Sequence, residues 1–111
     1  MNRPQKTNNP GDLRYVGQAG ATKDEHGFCV YPDAPSGWRG LVKQIKLDQG
    51  RNLSFRTFIG KYAPENENNT SQYLQLVCTG LGVKPEDMLS SRSAYAVAGL
   101  IALEEGYFAE G

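Results

Sequence analysis

The chain has 111 residues, 39% of them hydrophobic and 22% charged, an ordinary globular mixture sized for one domain with one core. Basic and acidic residues balance at 12 each, so the basic excess expected of a nucleic-acid-binding domain is missing. No stretch approaches the roughly 18 apolar residues of a membrane span, and the opening MNRPQKTNNPG has no apolar signal segment; the expectation is a protein made in a cytoplasm and not exported by the general secretory route.

Residues 1–10 are polar and carry Pro4 and Pro10. They read as an extended arm, flexible over 1–7, ending in a turn at Asn9-Pro10-Gly11. Asp12 to Val16 and Gly27 to Tyr31 read as two short strands around a polar, glycine-rich loop, paired as a small ribbon. Ser36 is the expected cap of a helix running to about Gln49, with Trp38, Leu41, Val42 and Ile45 at helical spacing and Gly50 as its stop. Ser54 can cap a second helix ending near Tyr62, before Ala63-Pro64 breaks it. Thr70 is the expected cap of a third, with Tyr73, Leu74, Val77 and Cys78 inward and Gly80 and Gly82 at its end. Pro85 to Leu89 is a turn or short helical piece, and Ser90 or Ser91 caps a last helix over about 92–107. The outline is α+β and mainly α, a single domain over 1–111 with a small N-terminal β-ribbon and a buried C-terminal helix.

Cys29 and Cys78 sit in apolar surroundings, GFCVY and LQLVCTG, and are expected to be buried thiols rather than a disulfide. Neither has metal-site spacing, and the single His26 lies in a polar loop. A zinc centre or a histidine-dependent triad therefore lacks its parts, and no cofactor or metal is expected.

The last helix carries the chemistry. Ala94 to Leu103 is apolar on all sides, the pattern of a central helix, and it runs straight into Glu104 and Glu105. At about 100° per residue Glu105 continues the stripe of Ala94, Ala98 and Ile101, and Glu104 that of Val97 and Leu100. Desolvation and the negative end of the helix dipole both favour a carboxyl that holds its proton, the requirement for a general acid on a glycosidic oxygen. The same pattern also fits a frayed helix end with both glutamates in water.

Three motifs in series resemble a family of phage-associated lysozyme-like domains, which contains muramidases and lytic transglycosylases. Asn8-Asn9-Pro10-Gly11-Asp12-Leu13-Arg14-Tyr15, then Gly17-Gln18 and Gly20-Ala21-Thr22, is similar to NNPGN[LI]RY…GQ…GAT, with Asp12 in place of the usual Asn. Gly27-Phe28-Cys29-Val30-Tyr31 leading to Gly37-Trp38-Arg39-Gly40-Leu41 resembles GFAVF followed by G[WL]RAL. Lys61-Tyr62-Ala63-Pro64 with Glu67-Asn68-Asn69-Thr70 and Tyr73 resembles [KR][WY]AP…EN.T..Y. In relatives the catalytic glutamate precedes the first motif, in a helix ending E-G-[WFY]. This chain has Glu105-Gly106-Tyr107 at its end instead, with five residues after Gly106 and seven before Asn8. The resemblance thus implies a circularly permuted lysozyme-like fold whose termini meet and whose Glu105 faces a groove lined by the Asn9 turn. An exchange of ends between two chains would give the same juxtaposition in a dimer.

What the resemblance implies for function is cleavage of peptidoglycan glycan strands. Glu105 is the acid, with Glu104 as fallback because ALEEG also resembles the ALESG of glucosaminidase-type relatives. Asn8, Asn9, Arg14, Tyr15, Gln18, Asn68 and Tyr73 are the expected sugar-binding residues, although each also has a purely structural role in a turn, cap or core. A hydrolase needs a second carboxylate, for which Asp12, Asp24, Glu25 and Glu67 are candidates. A lytic transglycosylase needs one glutamate, since the sugar's own C6 hydroxyl closes a 1,6-anhydro ring. The setting implied is the cell wall, reached as a released endolysin or within a bacteriophage particle. The competing expectation is a non-catalytic structural or peptidoglycan-binding module on the same fold.

Overall fold

A computed structural model describes residues 1–63 and 67–110, without the side chains of Glu67 and Asn68. The elements in chain order are α1 (Arg3–Lys6), β1 (Thr22–Lys23), β2 (Cys29–Val30), α2 (Ala34–Gln49), α3 (Phe55–Tyr62), α4 (Glu67–Leu81), a 3-10 turn (Leu89–Ser91) and α5 (Ala94–Glu104). The class is α+β and mainly helical. α5 packs between α2 and α4, and α3 lies against α4. The core joins Leu41 and Ile45 of α2, Phe55, Phe58 and Ile59 of α3, Val77 of α4 and Val97, Ala98 and Ile101 of α5.

The ribbon is antiparallel, pairing Thr22 with Val30 and Lys23 with Cys29. On the other side of β2 the Tyr15 N–H donates to Gly27 O and the Cys29 N–H to Leu13 O, both at 2.9 Å. The two segments expected to pair do meet there, through a single bridge between Arg14 and Phe28. The second ladder partner, Thr22–Lys23, comes from the loop. Cys29 and Cys78 are both buried and free.

The N-terminus departs from the extended arm expected. Asn2 caps Arg3–Lys6 in a reciprocal box with Gln5, and Pro4 is buried. So short a helix has no stability of its own; the C-terminal tail supplies its partners. The Asn2 amide donates to Gly106 O at 2.8 Å, and Gln5 Nε2 donates to Tyr107 O at 3.1 Å and Ala109 O at 2.6 Å. The two ends therefore meet within one chain, and no exchange of ends is needed to bring them together.

Capping explains the other shifts. Asp33, not Ser36, caps α2, accepting from the Ser36 N–H at 2.9 Å, which lets Ala34 and Pro35 occupy the first turn, where Pro is tolerated. Ser54 caps α3 as expected. α4 starts ahead of Thr70, whose hydroxyl instead donates to Ala63 O. Ser93 caps α5, so that helix spans Ala94–Glu104 rather than 92–107. Its burial is also incomplete: Tyr95 and Leu103 are 68% and 55% exposed, so one stripe of the apolar helix faces outward.

One core polar atom is out of place. The Tyr31 hydroxyl is buried and has no hydrogen-bond partner among the described residues, and burial pushes its phenol pKa up. A Cβ at position 40 would collide with that same hydroxyl. Tyr31→Phe should therefore raise stability by about 1 kcal/mol, by removing an unsatisfied hydroxyl. Adding Gly40→Ala should cancel that gain, because the new methyl would still meet the ring Cζ at 2.7 Å. Denaturant titration of the single and double variants checks this; an unchanged or lower midpoint for Tyr31→Phe would contradict it.

Candidate active site

The end of α5 is shaped by its own sequence. Glu105 is the last helical-angle residue, Gly106 follows at φ 84°, the Gly106 N–H donates to Leu103 O at 3.1 Å and the Tyr107 N–H to Ala102 O at 3.0 Å. This paired closure is the Schellman stop, which favours glycine at its left-handed position. E-G-Y is thus a structural unit. It holds the glutamate on the last turn, reverses the chain, and sends Tyr107 edge-on against Trp38 at 5.6 Å between ring centroids. Because Glu105 continues the stripe of Ala94, Ala98 and Ile101, which is buried, its carboxylate is carried inward and half-buried. The Tyr73 hydroxyl donates to Glu105 Oε2 at 2.8 Å.

Glu105 opens onto a cleft of about 450 Å³. One wall is the N-terminal loop, through Asp12, Leu13, Arg14, Val16 and Gln18. The other is α2 and α3, through Gln44, Asp48, Phe58, Lys61 and Tyr62; Arg3 and Phe28 close the end. The loop is held in place by Asn9, which is fully buried. Its Nδ2 donates to Leu13 O and Cys29 O, both at 3.0 Å, and its Oδ1 accepts from the Leu13 N–H at 2.9 Å. Asp12 sits at φ 49°, a left-handed geometry that Asn and Asp tolerate best among residues with a Cβ.

The charges in the cleft are paired. Asp12 takes a bidentate ion pair from Arg3, at 2.8 and 2.6 Å, and this bond raises the Arg3 pKa. The Arg3 and Arg14 guanidiniums lie 3.5 and 4.7 Å from the Phe28 ring centroid. Asp48 is 3% exposed and accepts from Lys61 at 2.9 Å, Arg51 at 2.7 Å and Gln44 at 3.1 Å. Burial alone would raise the Asp48 pKa, but the bonds from Lys61, Gln44 and Arg51 outweigh it and the net shift is downward. With its folded-state pKa depressed, Asp48 contributes stability above the ordinary carboxylate range near pH 4, and that stability is lost as pH falls through the folded value. Asp48→Asn should be less stable than the parent at pH 7 and show a shallower acid-side fall, which thermal melts from pH 2 to 7 measure.

Of the expected site residues, the fold brings Glu105, Tyr73, Arg14 and Gln18 to the cleft or its immediate wall. Gln18 also closes a turn, accepting from the Val16 N–H and donating to Arg14 O. Asn8 and Asn9, also expected to bind sugar, do not line the cleft. Asn9 is sealed with its amide committed to the loop, and the Asn8 amide donates to Tyr31 O at 3.2 Å. Tyr15 packs against the core rather than lining the cleft. The Asn68 and Glu67 side chains lie outside the described residues. Glu104 is half-buried, with its pKa raised by burial, and does not line the cleft. Among the candidate second carboxylates, Asp12 is neutralised by Arg3, Asp24 is engaged by the N–H groups of His26 and Phe28, and Glu25 is exposed beside His26.

Arg3, Asp48, Lys61 and Tyr62 are cleft residues that sequence reasoning missed. Lys61 and Tyr62 stand inside the third family-like motif, which is the signal that could have found them. Arg3 has no local signal; Asp48 has one, since it continues the buried stripe of Leu41 and Ile45 and has Arg51 three residues on. Among the described residues no group of three His, Cys, Asp or Glu side chains could hold a metal ion, and no helix is long and apolar enough to cross a membrane. No protein-family model matches the chain, and no curated protein is significantly similar to it.

Proposed function

We propose that the protein cleaves peptidoglycan glycan strands as a single-glutamate lytic transglycosylase on a circularly permuted lysozyme-like fold, acting at the cell wall as a released endolysin or from a phage particle. The observation that supports this reading best is Glu105. It continues the buried stripe of α5, is bonded to the Tyr73 hydroxyl and is set in a cleft whose opposite wall is the N-terminal loop. In this reading Glu105 gives its proton to the leaving glycosidic oxygen as the bond to C1 breaks. It then takes the proton of the C6 hydroxyl as that oxygen closes onto C1, so proton and bond inventories balance without water. Among the described residues the other cleft carboxylates, Asp12 and Asp48, are paired with cations, which favours this over hydrolysis. Arg14 is a cleft cation that would donate to sugar oxygens; Gln18 and Lys61 stand beside it, each also bonded within the protein.

The test is digestion of purified sacculi with separation of the soluble products. Wild-type protein should release muropeptides and Glu105→Gln should not. No release by wild type across walls of several chemotypes would reject the enzyme reading and leave a binding or structural module. Tyr73→Phe removes the hydroxyl that orients Glu105 and should lower kcat by about 10- to 100-fold, with KM nearly unchanged, because a misoriented acid costs rate rather than binding. An equal loss in KM would place Tyr73 in substrate binding instead.

A further inference from the structure

Arg3 reaches the Glu105 cleft from α1, and the meeting of the two termini puts it there. α1 is tied to the tail by the Asn2 and Gln5 amides, which donate to Gly106 O, Tyr107 O and Ala109 O. The Arg3 guanidinium is then held along one edge and on one face. Nε and Nη2 donate to the two Asp12 carboxylate oxygens at 2.8 and 2.6 Å, and the Phe28 ring centroid lies 3.5 Å from Cζ. Among the described residues the third nitrogen, Nη1, has no hydrogen-bond partner. The Asp12 bond is the main cause of the raised Arg3 pKa, and Glu105 is near enough to add to it. A fixed, planar donor with one nitrogen to spare therefore shares the cleft with the proposed acid.

We propose that Arg3 is a specificity residue: Nη1 donates to the carbonyl oxygen of a 2-acetamido group on the bound glycan, so that the cleft selects N-acetylated sugars. The inference rests on the glycan-cleaving reading and names what that site distinguishes. A guanidinium only donates, so its partner must accept. The Arg3–Asp12 pair carries no net charge, and an anionic ligand would meet the Asp12 carboxylate across the guanidinium, which favours a neutral acceptor. Among the neutral groups of a glycan strand, hydroxyls both donate and accept, whereas the amide carbonyl oxygen only accepts. That carbonyl also brings a methyl group, for which Leu13, Val16 and Phe28 offer apolar surface in the same cleft. Because the donor is already fixed by Asp12 and Phe28, little further side-chain freedom is lost when it binds.

The experiment compares purified peptidoglycan, the same material after de-N-acetylation, and that material re-acetylated. Wild type should cleave the N-acetylated and re-acetylated walls with kcat/KM about tenfold or more above that for the de-N-acetylated wall, because a site built to bond a group rejects the analogue that lacks it. Arg3→Lys keeps a cation beside Asp12 but removes the second edge of the head group. It should bring the ratio below about threefold by losing rate on the N-acetylated wall. A ratio kept by Arg3→Lys would overturn the proposal, since repulsion of the glucosamine ammonium by any cation would then explain it; so would a wild type that does not discriminate. Binding is read separately, with Arg3 intact, by titrating ¹⁵N-labelled Glu105→Gln protein with four-sugar peptidoglycan fragments. N-acetylated fragments should shift the Arg3 Nε–H resonance and de-N-acetylated ones should not. An unmoved Arg3 resonance would overturn the inference whether or not walls are cleaved, whereas a selective shift without cleavage would uphold it and reject the transglycosylase reading alone.

Discussion

Glu105→Gln should reduce glycan cleavage by about a thousandfold or more while leaving the fold unchanged. General acid–base catalysis is worth about 10²- to 10⁴-fold for one positioned group, and in the proposed mechanism this one side chain serves both half-reactions. The amide has nearly the size of the carboxyl group, and its oxygen can still accept the Tyr73 hydroxyl, which lies 2.8 Å from Glu105 Oε2. The melting temperature should therefore stay within about 3 °C, less than the shift that 1 kcal/mol causes in a domain of this size. Glu104→Gln is the matched control. Glu104 does not line the cleft, and its raised pKa comes from burial alone. Activity retained by Glu105→Gln and lost by Glu104→Gln would reverse the assignment.

The second large effect is expected at Gly37. It lies in the first turn of α2, buried against the N-terminal loop, and a Cβ there would overlap the Asn8 carbonyl oxygen and meet Pro10 Cδ at 3.0 Å. The obstruction is backbone and has nowhere to go, since Asn9 beside it makes three hydrogen bonds from a sealed position. α2 or the loop must shift. Overpacking of this kind costs about 1–3 kcal/mol where flexible side chains yield, and more against backbone; the gain of about 1 kcal/mol in helix propensity offsets only part of it. Gly37→Ala should lower the melting temperature by about 10 °C and impair cleavage, because the displaced segment forms one wall of the Glu105 cleft. Gly60→Ala is the contrast. That glycine is exposed in α3, and beyond its chain neighbours and its own helical backbone nothing lies within 4 Å of the place a methyl would take. The same substitution should there raise the melting temperature by a few degrees. Equal behaviour of the two variants, by calorimetry, would show that helix propensity rather than the close approach governs Gly37.

The helices are legible in the sequence where a chain signal and a physical stop coincide. Ser54 and Gly50 mark boundaries that the structure keeps, and the apolar run ending in E-G-Y marks both α5 and the place of Glu105. They are poorly legible where the partner is distant in sequence. α1 reads as an arm because four residues containing a proline have no intrinsic helicity; its stability comes from the 106–109 tail. Asn9-Pro10-Gly11 announces a turn, but the carbonyl of Cys29 that seals Asn9 inside is 20 residues away. Asp48 reads as a polar position in a helix; Gln44 and Arg51 pair with it locally, but its pairing with Lys61, arriving from α3, has no signal near it in the sequence. Tyr95 and Leu103 belong to a run apolar on every side, and composition alone does not say which stripe stays exposed.

If one glutamate performs the cleavage without a water nucleophile, no solvent oxygen enters the product. Digesting purified peptidoglycan in ¹⁸O-enriched water and analysing the products by mass spectrometry tests this most directly. The mechanism predicts 1,6-anhydro ends with no ¹⁸O at the new terminus, formed by wild type and not by Glu105→Gln. Reducing ends carrying one ¹⁸O per cleavage would contradict it, because they require an activated water.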